Sequence, residues 1–439
     1  MKDFSSKVYK AFNSEVIALD RVKQEMKLVN DPEKDFTRLR KLDFSDLIKI
    51  IVLSSGAPIK DELNRYYDYD PEVISTSGFV QARDKIRPEA FEYLLKRLNL
   101  RFTADKRFRG YRLVGVDGCD LSIAFDPFDE YTYYHLGENK KGCSILHLNV
   151  SYDILNHRYL DNILQGVKDK DEPLAMYTMA ERSDDKAIYI ADRMYPTLNN
   201  MEHLKKAGKK FVIRLKDIHS PISFFHKFDL PEDEEFDKDV SITLTCRQTK
   251  ETKAHPERYR WVNSSQNFDF LSKENPYYEV SYRVVAFKLD TGNYEYLVSN
   301  LQRDSFSLSD LKYLYRLRWA HEVSYRHLKY SENMCSLHAR KRSSIRQEIF
   351  AKMVLYNLCM IIIESLSEKA RRKSTKYAYV INITRASHII RDNFRKRKGG
   401  IPPGLEALIC RELLPVRPDR KYPRNVKPHS AICFNYRFS

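Results

Sequence analysis

Cysteine is scarce in this chain and patternless. Seven residues (Cys119, Cys143, Cys246, Cys335, Cys359, Cys410 and Cys433) are scattered through 439 positions, with no CxxC and no His-x3-His spacing. That excludes a disulfide framework and a zinc finger, and fits a reducing cytosol. Long apolar runs are missing as well. The most apolar, Met353–Ile363, contains Asn357 and is too short for a bilayer core of roughly 30 Å, so it reads as a buried helix. The first residues, MKDFSSKVYK, lack the apolar stretch of a secretory leader. GxGxxG and GxxxxGKS/T are both absent, which leaves a nucleotide-binding loop unsupported. There is no internal repeat and no low-complexity tract.

What is present is charge, unevenly spread. Lys and Arg number 76 against 60 Asp and Glu, a net +16. Lys369–Ser439 alone holds 18 basic and 4 acidic residues, so nearly all the excess sits there. Such a block suits a polyanion, with nucleic acid ahead of a membrane surface; a solubilising arm is the other reading.

The chain divides by texture. Residues 1–105 read as short helices, with Asp43 or Ser45 capping a stripe of Phe44, Leu47, Ile48, Ile51 and Val52. Ser75–Ile86 forms a second helical unit with a polar, basic side, and Pro88 opens a third. This suits a DNA-binding domain or a plain helical bundle. Residues 106–216 carry strands at Arg112–Val116, Ser144–Tyr152, Arg158–Leu164, Ala187–Ala191 and Lys210–Leu215, with helices at Pro173–Glu181 and Leu198–Lys206, an α/β layer pattern. Residues 217–305 alternate apolar and polar positions and contain a hairpin around Asp290-Thr-Gly-Asn293, a β-rich insertion. Helices resume over 306–365. The basic region 366–439 ends in a proline-punctuated, irregular arm.

Two strands end in carboxylates. Arg112–Val116 is closed by an expected turn at Asp117-Gly118, and Ala187–Ala191 ends at Asp192. Ligands gather at such sheet edges, although each aspartate taken singly also serves as a turn former. Downstream, YLYRLRWAHEVSYRHLKY (Tyr313–Tyr330) carries Tyr315, Arg318, Glu322 and Lys329 at offsets that share an arc of about 60° on one continuous α-helix. Tyr313, Leu317, Ala320, Ser324 and Leu328 line the other side. A solvated face with an Arg–Glu pair has the same pattern. Grouped, Asp117, Asp192 and Glu322 are hard oxygen ligands suited to Mg²⁺ or Mn²⁺, and two such ions can drive phosphodiester displacement. Asp120, Asp126, Asp129 and Glu130 end no expected strand and rank below Asp117.

The Tyr-x2-Arg-x3-Glu-x6-Lys pattern resembles the Y-R-E-K signature of DDE transposases from bacterial insertion sequences of the type 4 group. Asp117 in VDGCD and Asp192 in IADRMYP look like that family's first two catalytic aspartates, and FVIRLK is similar to the segment that follows. The likeness spans about Ser75 to Asn357. Met194 stands where glycine is usual, and Cys119 where Ser or Thr is common. The resemblance implies an RNase H-like catalytic core with a β-rich insertion, flanked by helical N-terminal and basic C-terminal regions. It implies Mg²⁺-dependent (or Mn²⁺-dependent) cutting at element ends and strand transfer by a 3′-hydroxyl. Asp117, Asp192 and Glu322 would be catalytic and metal-binding. Tyr315, Arg318, Lys329 and Arg214 would meet DNA. Trp261 is a candidate for stacking on a flipped base, or for plain packing. The implied partners are transposon-end inverted repeats, target DNA and a second copy of the chain, in a cytoplasmic, nucleoid-associated setting with no membrane. A catalytically silent DNA-binding descendant and a metal-dependent nuclease of the same fold are the rival readings.

Overall fold

The computed structural model describes residues 3–416 apart from 39, 104, 136, 138–141, 264, 267, 336, 338, 371–377 and 396–399. Much of the basic C-terminal region, including 417–439, therefore lies outside the described residues. Five helices open the chain: α1 (Phe4–Val22), α2 (Phe44–Val52), α3 (Ile59–Tyr66), α4 (Thr76–Arg83) and α5 (Glu89–Arg101). A run of strands and helices follows: β1 (Arg112–Ser122), β2 (Tyr133–Tyr134), β3 (Cys143–Asp153), β4 (Arg158–Gln165), α6 (Glu172–Glu181), β5 (Ala187–Ala191), α7 (Leu198–Lys206) and β6 (Lys210–Arg214). The insertion supplies β7 (Phe236–Thr245), α8 (Lys250–Ala254), β8 (Tyr259–Trp261), β9 (Tyr277–Lys288) and β10 (Tyr294–Ser299). The rest is α9 (Leu308–Arg316), α10 (Trp319–Arg326), α11 (Arg342–Ala370), β11 (Tyr379–Ile381), α12 (Ile383–Phe394), α13 (Leu405–Ile409) and β12 (Leu413–Pro415).

Side chains set many of the helix starts. Asp43, Ser75, Asp171, Thr197 and Ser307 each accept from a first-turn N–H that the helix itself leaves open. Ser307 and Asp310 form a reciprocal capping box.

One ten-stranded sheet runs β2-β3-β1-β5-β6-β10-β9-β7-β8, with β4 paired to β3. β1, β5 and β6 are parallel; β3, β4 and β10 lie antiparallel to their neighbours. Period-two alternation divides the side chains between two cores. Val114, Val116, Tyr189 and Phe211 pack with Met176 of α6 and Met201 of α7. Leu113, Ile190, Val212 and Leu297 face Leu311, Leu314 and the helices beyond.

Several features of the fold go beyond what the local patterns showed. β1 does not stop at Val116: Asp117–Ser122 stay paired with β3, from Asp117↔Val150 to Ser122↔Ile145, so Asp117-Gly118 is strand and not turn. The β-rich insertion makes no sheet of its own, because β10 pairs with β6 and carries the core sheet onward. The N-terminal helices share one core with α11 and the sheet; Phe12, Leu47, Phe91 and Leu94 pack in the same cluster as Ile362. The C-terminal stretch likewise forms α13 and β12, where a proline-punctuated, irregular arm was expected beyond Gly400.

Helix α11 is the hub of that core. By length and composition its Arg342–Ser367 stretch could cross a membrane, yet 89% of its apolar window is buried inside the protein. Helices α1, α2, α5 and α12 surround it. Each fully buried Leu or Ile there, such as Leu358 and Ile362, contributes about 1.5–3 kcal/mol.

Candidate active site

Four neighbouring strands bring four charged residues to one edge of the sheet. Parallel pairing of β1 with β5 ends at Gly115↔Ile190, so Asp117 and Asp192 come next, side by side. Arg214 closes β6, and Glu295 lies on β10 two residues before Leu297, the partner of Arg214. By alternation all four share the face of Leu113, Ile190, Val212 and Leu297. Glu295 carries no sequence signal that singles it out; only the β6–β10 pairing brings it here.

The two aspartates make no direct ion pair among the described residues, and Arg318 offsets their crowding only in part. Asp117 Oδ1 accepts from the Gly118 N–H at 2.9 Å, and Asp192 Oδ1 from the Met194 N–H at 2.8 Å. Loss of water and the neighbouring Asp192 push the Asp117 carboxyl up to about 7. Met194 sits in ordinary backbone, outside the left-handed region, with a 53% exposed side chain, so glycine is not required there. Cys119, on the same face as Asp117, has its thiol pushed up to about 12 by burial.

The signature segment packs over this edge, but not as one helix. Around Leu317 the bonds tighten to three-residue spacing (Arg318 N–H to Tyr315 O, His321 N–H to Arg318 O), and His327–Ser331 then loosens to a π-turn. Each change shifts the angular phase, so the expected common stripe is broken. Tyr315 is buried, contrary to the expected polar face, while Tyr313 is 39% exposed. Arg318 donates to Glu322 Oε1 at 2.7 Å and stands close enough to Asp117 and Glu295 to stabilise both anions. Lys329, in the π-turn, lies 5.9 Å from the Tyr325 ring centroid and opposes the burial of the Cys119 thiol.

Two contacts fix the segment to β1 and its neighbour β3. Tyr325 donates its hydroxyl to the Asp117 carbonyl at 2.9 Å. His321 stacks on Tyr152 at 5.3 Å, and its Cβ would lie 3.3 Å from a Cβ at Gly115, so glycine there lets α10 approach the strand. Burial, then Arg318, lowers the His321 pKa to about 3, which makes it a neutral packing group.

The arrangement brings together Asp117, Asp192, Arg214, Tyr315, Arg318 and the unforeseen Glu295. It does not bring Glu322 to the aspartates: among the described residues no three His, Cys, Asp or Glu side chains sit close enough to hold one ion. The pair alone fits a divalent cation, because two crowded carboxylates in a low-dielectric edge call for positive charge. Trp261 is 47% exposed on outermost β8, six strands from β1, roughly 29 Å along the sheet. On the other face Asp120 pairs with His147 at 2.6 Å and Lys170 at 3.1 Å, and the His147 bond pulls its carboxyl down to about 2.

Fold and site together define an α/β protein with a paired-carboxylate strand edge roofed by an arginine-bearing helix. The family model described as "Transposase DDE domain" matches residues 108–358, and the chain belongs to that family. No curated protein matches it. Among solved structures, the cryo-EM piggyBac transposase synaptic complex with hairpin DNA is similar over 98% of this chain and 87% of that one, at 12% identity and a TM-score of 0.43. A likeness of that size bears no weight on the site.

Proposed function

We propose that the chain is a DNA transposase that cuts the ends of an insertion sequence and joins the freed 3′-hydroxyl to target DNA. The observation that carries this is the Asp117–Asp192 pair lying within the matched transposase domain, with Arg318 only partly offsetting the crowding that pushes the Asp117 carboxyl up to about 7. The strand order β4-β3-β1-β5-β6, with β1, β5 and β6 parallel, supports an RNase H-like core. Asp117 and Asp192 would hold Mg²⁺ or Mn²⁺, with Glu322 joining them once it leaves Arg318. A bound divalent ion supplies charge neutralisation for the attacking and leaving oxygens. Arg318 and Arg214 steady the phosphates, and Lys329 extends that basic track. Tyr315 supports Arg318 from beneath, its ring 5.7 Å from the guanidinium. Trp261 serves a more distant part of the DNA or a packing role. The reaction belongs to a homodimer on paired terminal repeats, in the cytoplasm at the nucleoid.

The test is nicking and joining of a labelled duplex carrying the repeat that flanks the coding sequence. Cleavage that requires Mg²⁺ or Mn²⁺ and disappears with chelator is the expected result. The Arg318–Glu322 ion pair favours one rival specifically, a silent DNA-binding protein in which the carboxylate has become structural. Tight binding with no cleavage under either metal would establish that rival. Breaks without joined products would indicate a nuclease.

A further inference from the structure

We infer that Glu295 is a positioning residue for the DNA strand, acting through Arg214. The inference rests on the transposase reading above and adds to it a residue that no sequence signature marks. Glu295 is only 8% exposed, and its Oε1 lies 2.5 Å from Arg214 Nε. Burial raises the Glu295 pKa, and Arg214 and then Arg318 counter it, so the carboxylate lies between two guanidinium groups. That location has a consequence for both cations. Alone, Arg214 and Arg318 would repel each other as they converge on one sheet edge; a shared anion lets them occupy it together.

The geometry of the pair also matters. Holding Arg214 by Nε leaves its two terminal amino groups, which have no other partner among the described residues, as a planar fork for a phosphate. The Arg214 side chain is 38% exposed, which keeps that fork accessible. A merely structural tie between β6 and β10 is not needed here. The strands are already joined through Leu297↔Arg214, and by the Leu215 N–H to Tyr296 O bond at 2.8 Å.

The experiment is a double-mutant cycle on the full-length protein, read as affinity for the end duplex by fluorescence anisotropy without divalent metal. Glu295→Ala and Arg214→Ala should each weaken binding about tenfold, and the double variant should be no weaker than Arg214→Ala alone. Glu295→Gln, which keeps the size but removes the anion between the two guanidinium groups, should lose as much affinity as Glu295→Ala with no fall in melting temperature, and Glu295→Asp, which keeps the charge, should recover part of it. Additive losses would overturn the inference. So would equal losses in Glu295→Ala and Glu295→Gln that track a shared fall in melting temperature, and so would a wild-type protein that binds no DNA. If the wild type binds but neither nicks nor joins with Mg²⁺ or Mn²⁺, the transposase reading fails while the cycle still decides the role of Glu295.

Discussion

Two sets of partly or fully buried charges behave in opposite ways. Around α11, Arg83 uses every nitrogen: Nε donates to Gln347 at 2.8 Å, Nη1 to Glu348 at 2.8 Å and Nη2 to the Ser344 carbonyl at 2.6 Å. Nearby, Glu62 accepts from the Ser55 N–H, the Ser55 hydroxyl and the Ala57 N–H, and pairs with Arg395 at 3.2 Å. Burial opposes its charge, yet Arg395 and those donors hold its pKa below the usual range. At the strand edge, Asp117 meets another anion and is pushed up to about 7. A buried charge supplied with all its partners belongs to the architecture. One left with a like-charged neighbour is prepared for something that arrives.

The largest effect that would break this distinction is on chemistry. Asp192→Asn should reduce end cleavage on the order of a thousandfold while leaving the melting temperature equal or higher, because one of two crowded anions is gone. Normal cleavage by that variant would remove the edge pair from the mechanism. The converse substitution, Arg83→Ala, takes the guanidinium away from the buried Glu348 carboxylate and the Gln347 amide oxygen. It should cost about 3–5 kcal/mol in chemical denaturation, with any residual folded protein cutting normally.

The contrast was partly legible in the sequence. Asp192 at the end of its strand, the Arg–Glu spacing and the β-rich insertion are all local patterns, and most strands formed close to their expected limits. Two kinds of information were not local. β1 looked finished at Val116 because Asp117-Gly118 reads as a turn, whereas its continuation depends on pairing with β3 thirty residues later. The stripe from Tyr315 to Lys329 assumed constant 100° steps, which the tightened turn at Leu317 and the π-turn at His327 do not keep. Glu295 could not be found at all without the register of β10 on β6, since an acid in an alternating strand is ordinarily solvent-facing.

A smaller effect sharpens the comparison within one strand, since Asp117 and Asp120 titrate in opposite directions. In metal-free protein, folded Asp117 keeps its proton between pH ~4 and about 7 while the unfolded chain has lost it, so its contribution falls as pH rises through that window. Asp117→Asn should therefore stabilise the protein by about 1–2 kcal/mol at pH 7.5 and by nothing at pH 4. Asp120, whose carboxyl is pulled down to about 2, contributes above pH ~4 and loses that contribution as pH falls toward 2. Asp120→Asn should lower stability at pH 7 by about 0.5–1 kcal/mol, since the group is half exposed. Thermal melts from pH 4 to 8 would show one difference growing and the other steady; parallel curves would show that the two carboxyls share one environment.

The smallest expected effect concerns residues 417–439, tested separately from α12 and the rest of the basic C-terminal region. Truncation at Lys369 would remove α12, whose Ala386, Ile390 and Phe394 are buried against the core, and so would confuse folding with binding. Removing only residues 417–439 takes six Lys and Arg and one Asp. If those cations meet phosphates, the slope of log affinity against log salt should become shallower by about 1–3, at roughly 0.9 per contact, with little change in cleavage at low salt. An unchanged slope would assign the segment to solvent, leaving the roof of the strand edge, Arg318, Arg214 and Lys329, as the electrostatic seat of DNA binding.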